Sequence, residues 1–144
     1  MTYISNPSSN FFSRSDRIEE VDPLDQRFLC ETLLEATDLA TNTTAEVYVS
    51  MNGYRYLGIT GIMAITTDSV TVTVHATCED DVDPTGLTYV DVTEDWFGSA
   101  SWEDTNFCVT TSIPIAVTWV KIQYVTSNDS GDDADLNLYA KKMF

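Results

Sequence analysis

The chain holds a single histidine, so any Ser-His-Asp or Cys-His chemistry would have to use His75 as its base. His75 lies in a run where Val70, Val72, Val74, Ala76 and Cys78 alternate with Thr71, Thr73, His75 and Thr77. That pattern predicts a strand with the valines and Cys78 turned inward and the imidazole on a threonine-lined outer face, away from the thiol. No GxSxG elbow accompanies it. The expectation is a surface histidine, no catalytic residue and no enzyme.

Carboxylates are the other groups with chemical potential. Glu79, Asp80, Asp81 and Asp83 form one cluster, and Asp129, Asp132, Asp133 and Asp135 another. Calcium takes roughly six to eight oxygens, which acidic loops can supply. Neither cluster has the DxDxDG…E spacing, and aspartate-rich turns form for conformational reasons alone. No cofactor is therefore expected, with calcium at Asp129, Asp132, Asp133 and Asp135 as the residual metal candidate. Glu94, Asp95, Glu103 and Asp104 flank Trp96 and Trp102, a composition that suits paired-carboxylate glycoside hydrolysis or a sugar-stacking shelf completed by Tyr89. The competing reading is that Trp96-Phe97-Gly98 plugs one end of a sandwich. Trp119 is placed on an outer strand face beside Lys121, where a large apolar group marks an interface. Cys30, Cys78 and Cys108 are odd in number and lack zinc or CxxC spacing, and Cys78 is expected to be buried.

The elements that must position these residues are strands. About eight segments alternate: Phe28–Ala36 (strand or short helix), 45–51, 54–65, 70–78, 87–92, 106–113, 117–127 and 134–142. In the last three, Phe107, Val109 and Ile113 share a face, as do Val120, Ile122 and Tyr124, and Leu136, Leu138 and Ala140. Asn52-Gly53 is the strongest hairpin signal. Gly58 and Gly61 suggest a bulge or a close backbone approach, and residues 128–133 are expected to close a final hairpin. The stretch 94–106 reads as a long loop or edge segment. The fold class is all-β: a single antiparallel β-sandwich or jelly roll of about eight strands over 28–144, with an extended N-terminal arm over 1–27. The arm has little periodicity and contains Phe11, Phe12, Arg14 and Arg17, which are expected to contact neighbouring subunits.

A length of 144 residues suits one domain with its own core, and 43% hydrophobic with 11% aromatic residues is a globular composition. The net charge of −16 repels phosphate, which excludes nucleic acid and anionic membrane as favoured partners. The first 30 residues carry three arginines against five acids, so the body is the strongly acidic part. No basic segment precedes an apolar run at the N-terminus, and no stretch approaches the roughly 18 apolar residues of a membrane helix. A product made in the host cytoplasm is expected. The sequons at Asn42 and Asn128 are read as chance.

The run TWVKIQYVTS (118–127), an acidic turn and DLNLYAKK (135–142) resemble the closing hairpin of small tailed-phage virion proteins, as does NGYRYLGIT (52–60) upstream. The resemblance covers roughly 45–144. It implies a jelly-roll or sandwich subunit that decorates a capsid or builds neck, tail or fibre parts, and it transfers no catalytic residue. The function expected is an auxiliary capsid (decoration) subunit on the outer surface of a virion. Its partners would be the major capsid protein or neighbouring copies in a homo-oligomer. Interface residues would be Phe11, Phe12, Arg14, Arg17, Trp96, Trp102 and Trp119. The alternatives are a carbohydrate- or receptor-binding module, or a neck or tail component.

Overall fold

The computed structural model describes residues 28–40, 42–64, 69–127 and 134–144. The described residues form strands β1 (Phe28–Leu39), β2 (Thr44–Ser50), β3 (Tyr56–Ala64), β4 (Ser69–Thr77), β5 (Val90–Asp91), β6 (Trp102–Glu103), β7 (Phe107–Ser112), β8 (Trp119–Ser127) and β9 (Ala134–Met143). A five-residue helix, α1 (Thr93–Phe97), separates β5 from β6, and a 3-10 turn covers Pro84–Gly86.

The strands form two antiparallel sheets. Sheet one has the order β1-β9-β3-β7 and sheet two the order β2-β8-β4-β5, with β6 also pairing with β4. Strands alternate between sheets along much of the chain, and β5 with β6 occupies one interrupted strand position beside β4. Eight positions in this order are two interlocked Greek keys, the jelly-roll arrangement.

Alternation places the core. Val70, Val72, Val74 and Ala76 of β4 face Leu136, Leu138 and Ala140 of β9, together with Val49, Leu57, Ile59, Val120, Ile122 and Tyr124, all buried. At ~25 cal/mol per Å² this apolar area is the principal force holding the sheets together. Among the described residues one buried position is charged. Lys142 continues the Leu138–Ala140 face at the end of β9 and is 3% exposed. Its Nζ donates to the Ser50 carbonyl at 2.5 Å, pairs with Glu31 at 3.2 Å and sits 4.8 Å above the Tyr54 ring. Tyr54 in turn stacks on Phe144 at 4.2 Å. This clasp ties sheet one to sheet two where the apolar core ends.

Several expectations need correction. Asn52 and Gly53 do form a tight turn, with φ of 38° and 88° and a Tyr54 N–H to Met51 carbonyl bond of 2.6 Å. The strands it joins, β2 and β3, lie in different sheets, so it makes no hairpin. The same holds for β8 and β9, which do not pair with each other; residues 128–133 lie outside the described residues. The segment 28–36 is strand, extended to Leu39. The predicted strand 87–92 shrinks to Val90–Asp91, and the predicted loop 94–106 contains most of α1 and all of β6. Gly58 and Gly61 sit in an unbroken register with β9 and β7. Gly61 instead marks a close approach: a Cβ there would collide with the Phe107 ring. Register shifts occur between β9 and β1. Cys78 is exposed and Thr77 is buried, because the strand ends at Thr77, whose hydroxyl accepts the Glu79 N–H at 3.1 Å and starts a turn.

Candidate interaction surfaces

Of the residues singled out above, Phe11, Phe12, Arg14, Arg17, Asp129, Asp132 and Asp133 lie outside the described residues, as does the whole arm 1–27. Asp135 is described, and its Oδ1 accepts the Asp38 N–H at 3.0 Å. That bond fastens β9 to β1 where Asp38 takes a φ of 53°. Among the described residues no three His, Cys, Asp or Glu side chains converge. In the Glu79–Asp83 loop the carboxylates are engaged in folding the turn: Asp83 accepts the Thr85 N–H at 3.0 Å and Glu79 the Thr88 N–H at 2.9 Å. Those contacts from Thr85 hold the Asp83 carboxyl below its usual pKa.

The three tryptophans part company. Trp102 is a core residue, 7% exposed and stacked on Phe107 with centroids 4.3 Å apart. Phe97 meets it edge-on at 5.4 Å, and Trp96 meets Phe97 at 6.4 Å. This aromatic chain fills the side of the sandwich between β4 and β7, whereas the plug reading places it at one end. The shelf of Trp96, Trp102 and Tyr89 does not form, because Trp102 points into the core. Trp102 is equally removed from the interface role expected of it. Trp119 is half-buried, and its indole N–H donates to the Asp81 carbonyl at 2.9 Å, which pins the acidic loop over the end of β8.

On the outer face of sheet two, β-pairing aligns Tyr48 of β2, Lys121 of β8, His75 of β4 and Asp91 of β5 in one row. Tyr89 folds over the row, its ring 6.0 Å from that of Tyr48 and 4.9 Å from Lys121 Nζ. Glu46 accepts the Tyr48 hydroxyl at 2.8 Å and lies 3.7 Å from Lys121 Nζ. Burial, reinforced by the Glu46 carboxylate, pushes the Tyr48 phenol up to about 12. Burial also lowers the His75 pKa, which favours the neutral imidazole. Its Nε2 lies 3.0 Å from Thr73 Oγ1, a spacing that suits a hydroxyl nucleophile and its base. Among the described residues no carboxylate hydrogen-bonds the other ring nitrogen of His75. Asp91 Oδ1 accepts from the Thr93 N–H at 2.9 Å and hydroxyl at 2.8 Å, so its bonds serve the start of α1. Burial raises the Asp91 pKa, but these bonds and His75 outweigh it and leave the value lowered.

The outer face of sheet one has a different character. Tyr56, Gly58, Thr60, Ile62 and Ala64 of β3 lie beside Cys108, Thr110 and Ser112 of β7, and none of these is charged. Tyr56 and Ile62 are 46% and 45% exposed. With no side chain at Gly58, a hollow of about 330 Å³ opens between Cys30, Thr60, Cys108, Tyr139 and Lys141. Alternation marks these residues as outward-facing from the sequence alone. What sequence reasoning missed is that four separate segments bring them onto one face, uncharged along β3 and β7 and bordered by Lys141 and Glu31 at the hollow. Compared with protein-family models, curated proteins and solved structures, the chain matches none.

Proposed function

We propose that the protein is a structural subunit of a virion, an auxiliary capsid subunit on the outer surface of the particle, and not an enzyme. The observation that carries this reading is the strand order, β1-β9-β3-β7 against β2-β8-β4-β5. The jelly roll recurs in viral capsid and lectin domains, where it serves as a rigid block with large faces for contact. This is an argument by fold analogy, and the chemistry of the faces has to carry it further. Two features do so. A net charge of −16 suits the outside of a particle, since a surface facing packaged nucleic acid would meet phosphate repulsion. A sheet face uncharged along β3 and β7 within so acidic a chain suits burial against protein. The sugar-binding alternative has lost its shelf with the burial of Trp102.

The test is direct localisation. Particles that package the gene for this chain would be purified and labelled with an antibody raised against residues 28–144, then imaged by electron microscopy. Label over the heads is the expected result. Label confined to the neck or tail would move the protein to another part of the virion, and particles free of the chain by mass spectrometry would overturn the proposal.

A further inference from the structure

We propose that β7 is a self-pairing edge: two copies of this chain join their β7 strands antiparallel about a two-fold axis at Thr110, making one continuous eight-stranded sheet. The two sheets present four edges, and three carry features that oppose edge-to-edge pairing. β1 contains Glu31, Glu35 and Asp38 and is interrupted by register shifts against β9. β2 contains Glu46. β5 and β6 are two residues each and contain Asp91 and Glu103. β7 is six residues long, has no charge and no proline, and keeps an unbroken register with β3.

The direction of its backbone groups is fixed by one bond. The Ile113 N–H donates to the Arg55 carbonyl at 2.6 Å, and the register pairs Ser112 with Tyr56. Antiparallel ladders alternate, so Val109 and Thr111 bond to β3, while the N–H and C=O groups of Cys108, Thr110 and Ser112 point away from it. Among the described residues no strand pairs with that side.

Charge selects the occupant. A cationic partner would be drawn to the acidic surfaces elsewhere on the molecule. A second copy brings −16 of its own and can approach closely only where neither copy carries charge. The β7 strand itself meets that condition, and the charge beside it on the outer face, Lys141 of β9 across Gly58, is opposite in sign to the net charge of the second copy. Centring the axis on Thr110 sets Thr110 opposite Thr110 and Cys108 opposite Ser112 of the second copy. About six main-chain hydrogen bonds result. The inference does not depend on the virion reading.

Sedimentation equilibrium on the full chain should give a dimer. Thr110→Pro removes an N–H that β3 does not use, so the fold should be retained while the dimer weakens about 100-fold. Thr110→Lys, which leaves the backbone unchanged, should do the same through charge repulsion, should the proline variant fail to fold. In a chain with Cys30, Cys78 and Cys108 replaced by serine, Thr110→Cys should oxidise to a covalent dimer. Paired residues at such a site lie about 5.5 Å apart, within disulfide range. A wild-type monomer overturns the proposal and leaves the edge to residues 1–27 or to a foreign strand. A dimer that survives Thr110→Lys overturns it in favour of another face.

Discussion

His75 is the only histidine of the chain, and its setting determines the sign of its effect on stability. Burial between β8 and β5 lowers its pKa below 6.5, with Lys121 acting in the same direction and Asp91 and Glu46 opposing. The unfolded chain therefore binds a proton before the folded one does as pH falls. Stability contributed by the neutral imidazole is complete above 6.5 and is lost as pH falls through the lower folded-state value. A thermal-unfolding series should show the midpoint falling below pH 6.5, and His75→Gln should flatten that portion of the curve. The loss below about pH 3.8, which belongs to Asp83 and Asp91, should remain in the variant. An unaltered curve in His75→Gln would contradict this assignment. The lone histidine and its threonine-lined face were legible in the sequence. Its partners were not, because Lys121 and Asp91 reach it through pairings between distant segments.

At the level of elements, the interruption between β5 and β6 is the most instructive. β4 pairs with β5 at His75 and Ala76 and with β6 at Thr71 and Val72, which leaves Val74 without a facing strand. The Thr93 hydroxyl fills the gap. It accepts the Val74 N–H at 2.7 Å and lies 3.0 Å from the Val74 carbonyl, which also accepts the Val92 N–H at 2.9 Å. Thr93 is fully buried. Thr93→Val preserves shape but leaves the Val74 N–H unsatisfied, which should cost about 1–3 kcal/mol in urea unfolding, while Thr93→Ser should cost less. Equal stability of wild type and Thr93→Val would show that the bond has no net value. Why the sequence did not reveal this element is physical. Period-two alternation reports which face a side chain takes, and the faces of β4, β8 and β9 read correctly except at Thr77 and Cys78. It does not report which strand lies alongside. Asn52-Gly53 reverses the chain equally well within a sheet or between two, so β2 and β3 were read as neighbours. A helix of five residues is too short to show a 3.6-residue period, so α1 was read as loop.

The whole molecule folds against its own charge. Described surfaces such as the Glu79–Asp83 loop concentrate acids, and the four bases after residue 30 are Arg55, Lys121, Lys141 and Lys142. Lys142 and Lys121 are committed to Glu31 and Glu46. The remaining excess of −16 is mostly repulsion between exposed groups, which compaction strengthens and salt relieves. The Debye length falls from about 30 Å at 0.01 M to about 10 Å at 0.1 M. The buried Lys142 clasp is screened far less than those surface charges, so added salt removes repulsion without removing the attraction that holds the sheets together. The unfolding midpoint should therefore rise from 0.01 M to about 0.5 M sodium chloride, most steeply below 0.1 M. The urea m-value should stay constant, because the area exposed on unfolding does not change. A midpoint that falls with salt would mean that attractive ion pairs outweigh the net charge. If the β7 edge pairs as proposed, salt should also tighten the dimer, since the net charges of the two copies are of one sign.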